Sequence, residues 1–269
     1  MRLFGSNGIR GIAHNELSLD MVRDLGRALA ATLPRSATVC IGTDARASAG
    51  EFRDALTGGL RQSGADVVLL GRLPTPALAG TTVLRGFDAG VMVTASHNPP
   101  EYNGLKFYGR DGMGYGQAAQ RAVEEAYFGG EYRSGKGSVS VDDRALDDYG
   151  RFMLEHAAGL GSSLRVVVDA SNGAMAGFAT GLFREAGIDV IALRDEPQAV
   201  PDRDAEPKPS TLEGTVRFLT DSGADIAVCF DGDADRVVFC DRDGFMGFNE
   251  MIGYIARERV RDSGQRRVA

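Results

Sequence analysis

Short apolar runs alternate along the chain with segments whose apolar residues recur every three or four positions. The runs are almost continuously apolar, as in strands covered on both faces, and they predict strands at 37–41, 66–70, 90–94, 165–169, 189–193, 225–230 and 237–241. The first amphipathic segment begins at Ser18, a favourable N-cap residue, and places Val22, Leu25 and Leu29 on one stripe. The same spacing predicts further helices at 48–63, 76–85, 116–128, 143–157, 173–186 and 211–222.

This alternation predicts an α/β fold with two domains, whose mostly parallel mixed sheets are flanked by helices. A length of 269 residues agrees with about two domains. The helical pattern breaks at residues 157–163, Ala-Ala-Gly-Leu-Gly-Ser-Ser. We therefore expect a first domain at 1–157 and a second at 158–250. Residues 251–269 are then the start of a third domain or a tail.

Charge and composition argue against nucleic acid or membrane as a partner. The formal net charge is -7 and Trp is absent, so neither a basic surface nor a base-stacking surface is indicated. No segment resembles a signal peptide, and no apolar run has the length of a transmembrane helix. These features predict a cytoplasmic protein.

The three cysteines lie in apolar runs, which indicates buried thiols instead of disulfides or zinc ligands.

A polar loop directly follows the predicted strand at 90–94. It reads Thr-Ala-Ser-His-Asn-Pro-Pro, with the serine at position 96, and lies at a strand's carboxyl end, where α/β sheets bind ligands. An ordinary turn is the alternative, because Ser, Asn and Pro all favour turns. A serine hydrolase is excluded, since Ser96 and His97 are adjacent and no Gly-x-Ser-x-Gly elbow is present.

A second polar loop, Asp-Gly-Asp-Ala-Asp-Arg at 231–236, follows the predicted strand at 225–230. Three carboxylates at alternating positions can converge on one hard cation when the loop curls around it. A calcium-binding EF-hand is excluded, because its sixth and twelfth positions would be Arg236 and Arg242 instead of Gly and Glu. A solvated acidic turn is the remaining alternative.

Both loops resemble motifs of one enzyme family, the α-D-phosphohexomutase superfamily. The serine loop and the residues after it, Glu-Tyr-Asn-Gly-Leu-Lys-Phe at 101–107, resemble the family's phosphoserine loop, and 231–236 resembles its metal loop. The segment Phe-Gly-Ser-Asn-Gly-Ile-Arg-Gly at 4–11 resembles its N-terminal motif, and Gly-Thr-Asp-Ala-Arg-x-Ser at 42–48 a further signature. The resemblance covers almost the whole chain and implies the family's domains I and II.

The resemblance implies roles for individual residues. Ser96 carries the phosphoryl group and, with Asp231, Asp233 and Asp235, binds one Mg²⁺. The catalytic set is Ser96, Lys106 as acid/base at the sugar hydroxyl, Arg10 and His97, where His97 supports the phosphoserine. The residues implied to bind phosphate or substrate are Arg10, Arg236, Asn98 and Arg46, of which Arg46 also braces the site.

The implied reaction interconverts hexose 1-phosphates and 6-phosphates, with a hexose 1,6-bisphosphate as intermediate and activator. The N-terminal motif favours phosphoglucosamine mutase activity, and phosphomannomutase/phosphoglucomutase is the alternative. The sugar loop of the family's domain III and the phosphate site of its domain IV have no counterpart here, so we expect a separate chain or a missing segment to supply both. An incomplete phosphosugar-binding fragment and a phosphatase-like activity stay open as alternatives.

Overall fold

The structure is a computed structural model that describes residues 2–5, 8–157 and 163–263. It contains two mixed sheets flanked by helices, which confirms the predicted α/β class. The predicted boundary between 157 and 158 adjoins residues 158–162, which lie outside the described residues, so the domain bounds stay a prediction. Within the described ranges, no helix is both long and apolar enough to cross a lipid bilayer.

Six strands of the described chain form the first sheet, in the order β1-β5-β4-β2-β3-β6. They are β1 (Ile9–Ile12), β2 (Thr38–Thr43), β3 (Asp66–Arg72), β4 (Ala89–Val93), β5 (Tyr102–Gly109) and β6 (Val139–Val141). Strands β4, β2, β3 and β6 are parallel, whereas β5 runs antiparallel to both β4 and β1. Strands β2 and β4 are almost wholly buried, which accounts for their unbroken apolar sequence.

Helices cover both faces of the first sheet. They are α1 (Leu19–Thr32), α2 (Ala49–Gln62), α3 (Thr75–Leu84), α4 (Gln117–Gly129) and α5 (Ala145–His156). Successive residues of β2 point to opposite faces, so Val39 packs in the core beneath α1 and α2 while Cys40 packs beneath α3 and α5. Helix α1 begins as predicted, because the Ser18 hydroxyl oxygen accepts a hydrogen bond from the Met21 N–H.

The second sheet has the order β11-β10-β9-β7-β8 within the described residues. Its strands are β7 (Arg165–Asp169), β8 (Asp189–Leu193), β9 (Ile226–Phe230), β10 (Val237–Asp241) and β11 (Gly244–Phe245). Strand β7 pairs in parallel with β8 and β9, β10 runs antiparallel to β9, and β11 pairs antiparallel with β10 at the edge. The helices of this part are α6 (Phe178–Glu185), α7 (Pro209–Ser222) and α8 (Phe248–Ser263).

The short strands β1, β6 and β11 were not predicted, and two larger elements also differ from the sequence-based expectation. The helix predicted at 173–186 begins only at Phe178. Residues 173–176 form turns that contact the loop at 231–236, and Gly177 has a φ of 79°. Strand β5 was not among the predicted strands, since Asn103, Gly104 and Lys106 interrupt its apolar pattern. All three are nevertheless buried, so β5 is a central strand with a polar sequence.

The close crossing of α1 and α2 depends on Gly59. A β-carbon added there would lie 1.9 Å from the Arg23 carbonyl oxygen, so the two backbones would have to separate. We expect Gly59→Ala to lower the free energy of unfolding by about 1–3 kcal/mol through this overpacking. The neighbouring Gly58 has no atom within 4 Å of an added β-carbon. Gly58→Ala should therefore be neutral or stabilise by up to about 1 kcal/mol, and equal losses in urea denaturation would contradict the packing argument.

Candidate active site

The serine loop leaves β4 at the carboxyl end of the strand. Ser96 is 1% exposed and has a φ of 53°, a backbone conformation that non-glycine residues seldom adopt. Its N–H donates to the Thr94 hydroxyl oxygen at 2.8 Å, and its carbonyl oxygen accepts from an Arg46 Nη at 2.9 Å. The loop contacts therefore hold Ser96 in this conformation, with its hydroxyl directed at the second sheet.

Arg46 binds the backbone of the serine loop. Its two Nη atoms donate at 2.6–2.9 Å to the carbonyl oxygens of Ser96, Asn98, Pro99 and Tyr102. Its Nε donates to Asp44, which also accepts from Thr94. Burial raises the pKa of Asp44, while Arg46 beside it favours the charged form. All five N–H groups of Arg46 are thus engaged, which fits a bracing role and leaves its assignment as a phosphate ligand a prediction.

The aspartate loop leaves β9 at the carboxyl end of that strand. Asp231 and Asp233 are fully buried, Asp235 lies at the surface, and Ala234 between them has a φ of 57°. One carboxylate oxygen from each of the three aspartates lies within 4.8 Å of the others. The curled loop therefore brings three oxygen donors together, as the alternating spacing predicts.

The two polar loops, 135 residues apart in sequence, are in direct contact. The Ser96 hydroxyl donates a hydrogen bond of 2.6 Å to Asp231 Oδ2. Their backbones also touch, because a β-carbon on Gly232 would lie 2.5 Å from the Ser96 carbonyl oxygen. Arg236 spans the junction, with one Nη 3.1 Å from Asp231 Oδ2 and 3.2 Å from Ser96 Oγ. The structure thus brings together the serine, the carboxylates and a guanidinium.

Lys106 reaches the same cluster from β5. Its Nζ lies 2.5 Å from Asp233 Oδ2 and 2.5 Å from Asp235 Oδ2, and the residue is only 2% exposed. A surface lysine would show neither feature. A buried ammonium needs such partners, since an uncompensated charge would be costly in this interior.

The remaining predicted residues contact the serine loop or belong to it. Arg10 on β1 donates to Asn98 Oδ1 at 2.8 Å, and His97 Nδ1 contacts an Nη of Arg236. Burial, and next the charges of Arg236 and Arg10, lower the pKa of His97, so its imidazole is neutral at pH 7. The arrangement places two guanidinium groups and a neutral imidazole at the serine loop, a combination suited to phosphate oxygens.

The electrostatics of the aspartate loop favour a bound cation. Burial, followed by the charges of Asp233 and Asp235, raises the pKa of Asp231 to about 7. Burial also raises the pKa of Asp233, but Lys106 and Thr75 outweigh it and hold that pKa below its ordinary value. Asp233 Oδ1 is buried and has no hydrogen-bond partner among the described residues. A divalent cation with a preference for oxygen ligands fits this donor set, because it would satisfy that oxygen and offset the crowded charge.

Sequence reasoning did not single out three side chains that support the site. Thr75 donates to Asp233, Arg72 donates to carbonyl oxygens of the 173–176 turns, and buried Arg203 donates to Asp169 and to the Phe230 carbonyl. All three lie in connections or at the ends of helices and strands, where no apolar periodicity marks them.

A cleft of about 350 Å³ lies between the serine loop and the 171–173 and 198–208 segments.

Comparison with known proteins places this site in a family. Residues 1–134 match the phosphoglucomutase/phosphomannomutase alpha/beta/alpha domain I, and residues 147–244 match domain II of the same family. A "probable phosphoglucosamine mutase" of Methanopyrus kandleri is 38% identical over 100% of this chain and 60% of its own length. A phosphoglucomutase/phosphomannomutase of Thermococcus kodakarensis is 34% identical over 98% of this chain and 60% of its own.

A solved structure gives the same result. A phosphoglucomutase/phosphomannomutase family protein from Burkholderia thailandensis superimposes with a TM-score of 0.85 at 28% identity, over 97% of this chain and 59% of that one. The chain thus spans about three-fifths of the length of these relatives. Because the two family matches cover most of its residues and both loops lie within them, the chain belongs to the phosphoglucomutase/phosphomannomutase family of the α-D-phosphohexomutase superfamily.

Proposed function

We propose that this chain carries the phosphoryl-transfer centre of a phosphohexose mutase, in which Ser96 accepts and returns a phosphoryl group. The single observation that supports this most is the contact between the two loops, in which Ser96 Oγ lies 2.6 Å from Asp231 Oδ2 and 3.2 Å from Arg236. A serine in a simple turn would need neither the buried carboxylates nor the guanidinium. The proposed substrate is a glucosamine phosphate, since the relative from Methanopyrus kandleri is named a probable phosphoglucosamine mutase. Mannose or glucose phosphates are the alternative.

The residues that would hold Mg²⁺ are Asp231, Asp233 and Asp235, with an oxygen of phosphorylated Ser96 as a further ligand. When bound, the cation neutralises phosphoryl charge and makes the serine oxygen a better leaving group. The family generally depends on Mg²⁺ and a phosphoserine. The chain's own contribution is to keep three carboxylates close enough to share one ion.

Arg10 and Arg236 are proposed to bind the oxygens of the transferring phosphoryl group. Both lie beside the serine loop, where Arg10 contacts Asn98 and Arg236 contacts Ser96 and His97. A guanidinium presents a planar pair of donors that matches two phosphate oxygens. Neutral His97 adds a polar contact without adding to the positive charge.

In the transfer step, the bond between phosphorus and Ser96 Oγ breaks while a sugar hydroxyl oxygen forms the new bond to phosphorus. The sugar hydroxyl loses its proton, and the serine oxygen gains one. Asp231 is placed to return the proton to Ser96, because its Oδ2 accepts the Ser96 hydroxyl hydrogen in the unphosphorylated chain. Lys106, held by Asp233 and Asp235, is proposed to take the proton of the sugar hydroxyl as its amine, so that Lys106 gains one proton while Asp231 gives one to Ser96. The second half of the reaction reverses these movements on the sugar bisphosphate.

A mutase must rebind the bisphosphate in the opposite orientation, and the contacts for that step are proposed to come from the part of the relatives that this chain does not span. A sugar 1,6-bisphosphate is therefore the proposed activator, and a further segment or a separate chain the proposed partner.

The proposal is tested by incubating the chain with Mg²⁺ and glucose 1,6-bisphosphate and measuring its intact mass. We expect one added phosphoryl group, and none when EDTA removes the metal. Assays with glucosamine, mannose and glucose phosphates then distinguish the activities: isomerisation supports the mutase, and release of inorganic phosphate alone supports hydrolysis. A Ser96 that stays unmodified in the presence of Mg²⁺ would refute the proposal.

A further inference from the structure

The connection between β3 and α3 contacts the aspartate loop across the interface between the two sheets. Thr75, the first residue of α3, donates from its hydroxyl to Asp233 Oδ2 at 2.5 Å and from its backbone N–H to the Asp233 carbonyl oxygen at 2.9 Å. The residue is 3% exposed. One threonine of the first sheet unit therefore binds both the side chain and the backbone of an aspartate in the second.

The two donors at Asp233 leave its other oxygen free for a different ligand. Thr75 and Lys106 both bind Oδ2, while Oδ1 is buried without a hydrogen-bond partner in the described part of the chain. A carboxylate held at one oxygen by two donors cannot rotate freely, because rotation strains the bond to Thr75 and the bond to Lys106. Oδ1 is therefore held in place, on a carboxylate that has one oxygen within 4.8 Å of an oxygen of each of the other two aspartates.

We propose that Thr75 is a positioning residue for the metal site: its hydroxyl orients Asp233 so that Oδ1 faces the cation. This inference rests on the proposed metal site and extends it to a residue outside the aspartate loop. Groups that bind the far side of a metal ligand fix its orientation and raise the affinity for the metal. Lys106 cannot replace Thr75 here, because it also binds Asp235 and can follow a displaced Asp233 with its flexible side chain.

Arg72 adds a second contact between the β3–α3 connection and the second sheet unit. Arg72, at the end of β3, donates from one Nη to the carbonyl oxygens of Ala174 and Ala176, each at 3.1 Å. These turns lie against the aspartate loop, since the Ala174 N–H donates to the Gly232 carbonyl oxygen. Residues 72–75 thus support the aspartate loop in two ways: Thr75 binds a ligand residue directly, and Arg72 binds the turns that contact Gly232.

The test measures binding of Mn²⁺ alone to the unphosphorylated chain by electron paramagnetic resonance. Thr75→Val keeps the shape of the side chain and removes the hydroxyl, so we expect Mn²⁺ to bind about 10- to 100-fold more weakly. Thr75→Ser retains the donor and should bind Mn²⁺ as wild type does. Thr180→Val is the matched control, because Thr180 is also buried and its hydroxyl has no partner among the described residues.

Several results would overturn the inference. Unchanged Mn²⁺ affinity in Thr75→Val, or an equal loss in Thr180→Val, would show that the hydroxyl does not position the ligand. Thermal unfolding in EDTA checks that each variant folds, and Thr75→Ala replaces the valine variant if that one does not. If wild type itself binds no Mn²⁺, the proposed metal site fails together with the inference, whereas normal binding by wild type and Thr75→Val alike refutes the inference only.

Discussion

Ser96→Ala is expected to abolish the phosphoryl group that the chain acquires from glucose 1,6-bisphosphate and to lower any mutase turnover by at least about 10³-fold. The expectation follows from the geometry, because the Ser96 hydroxyl is the group in contact with both Asp231 and Arg236. The alanine variant keeps the carboxylates and the guanidinium but has no oxygen to form the phosphate ester. Intact mass after incubation with Mg²⁺ and the bisphosphate measures the effect directly.

Ser171→Ala is the matched control for this experiment. Ser171 is also a buried serine with a left-handed φ of 54°, and it lines the same cleft. Its hydroxyl has no hydrogen-bond partner in the described part of the chain, whereas the Ser96 hydroxyl donates to Asp231. Ser171→Ala should therefore accept the phosphoryl group as wild type does. Phosphorylation of Ser96→Ala, or its loss in both variants, would show that Ser96 is not the acceptor.

Much of the site could be predicted because its residues sit in two short contiguous loops. Each loop follows an apolar strand, and ligands in α/β proteins bind at the carboxyl ends of such strands. The sequence alone could not show that Ser96 and Asp231 are hydrogen-bonded, since that contact depends on how two sheets pack. The resemblance to a family supplied the expectation that the loops meet, and the structure supplied the distance.

Other parts of the site were hidden for physical reasons. Strand β5 carries Lys106 into the interior, but its polar and glycine residues conceal a buried strand from any test of apolar periodicity. Thr75 follows a proline and has the sequence context of an ordinary helix start. Its hydrogen bond to Asp233, 158 residues later, cannot be predicted from the neighbouring residues. Long-range polar contacts of this kind arise from the packing of helices and strands, so the pattern of apolar and polar residues along the sequence does not predict them.

Arg46→Met is expected to lower the free energy of unfolding by about 3–5 kcal/mol, the cost of leaving a buried charge without its partner. The side chains of Arg46 and Asp44 are 8% and 3% exposed, so water cannot replace the lost contact. The same change removes the donors from four carbonyl oxygens of the serine loop. Urea denaturation measures the loss, and Arg53→Met, which breaks a more exposed pair with Asp54, should cost less than about 1 kcal/mol.

A second substitution separates the two parts of that loss. Asp44→Asn in the Arg46→Met background removes the unpaired buried charge, so the double variant should recover part of the stability. The pH dependence has a defined sign. Burial already raises the pKa of Asp44, and removing Arg46 raises it further, so protonation of Asp44 should reduce the deficit of Arg46→Met as the pH falls. A deficit that is independent of both pH and Asp44 would assign the whole effect to the carbonyl contacts of the serine loop.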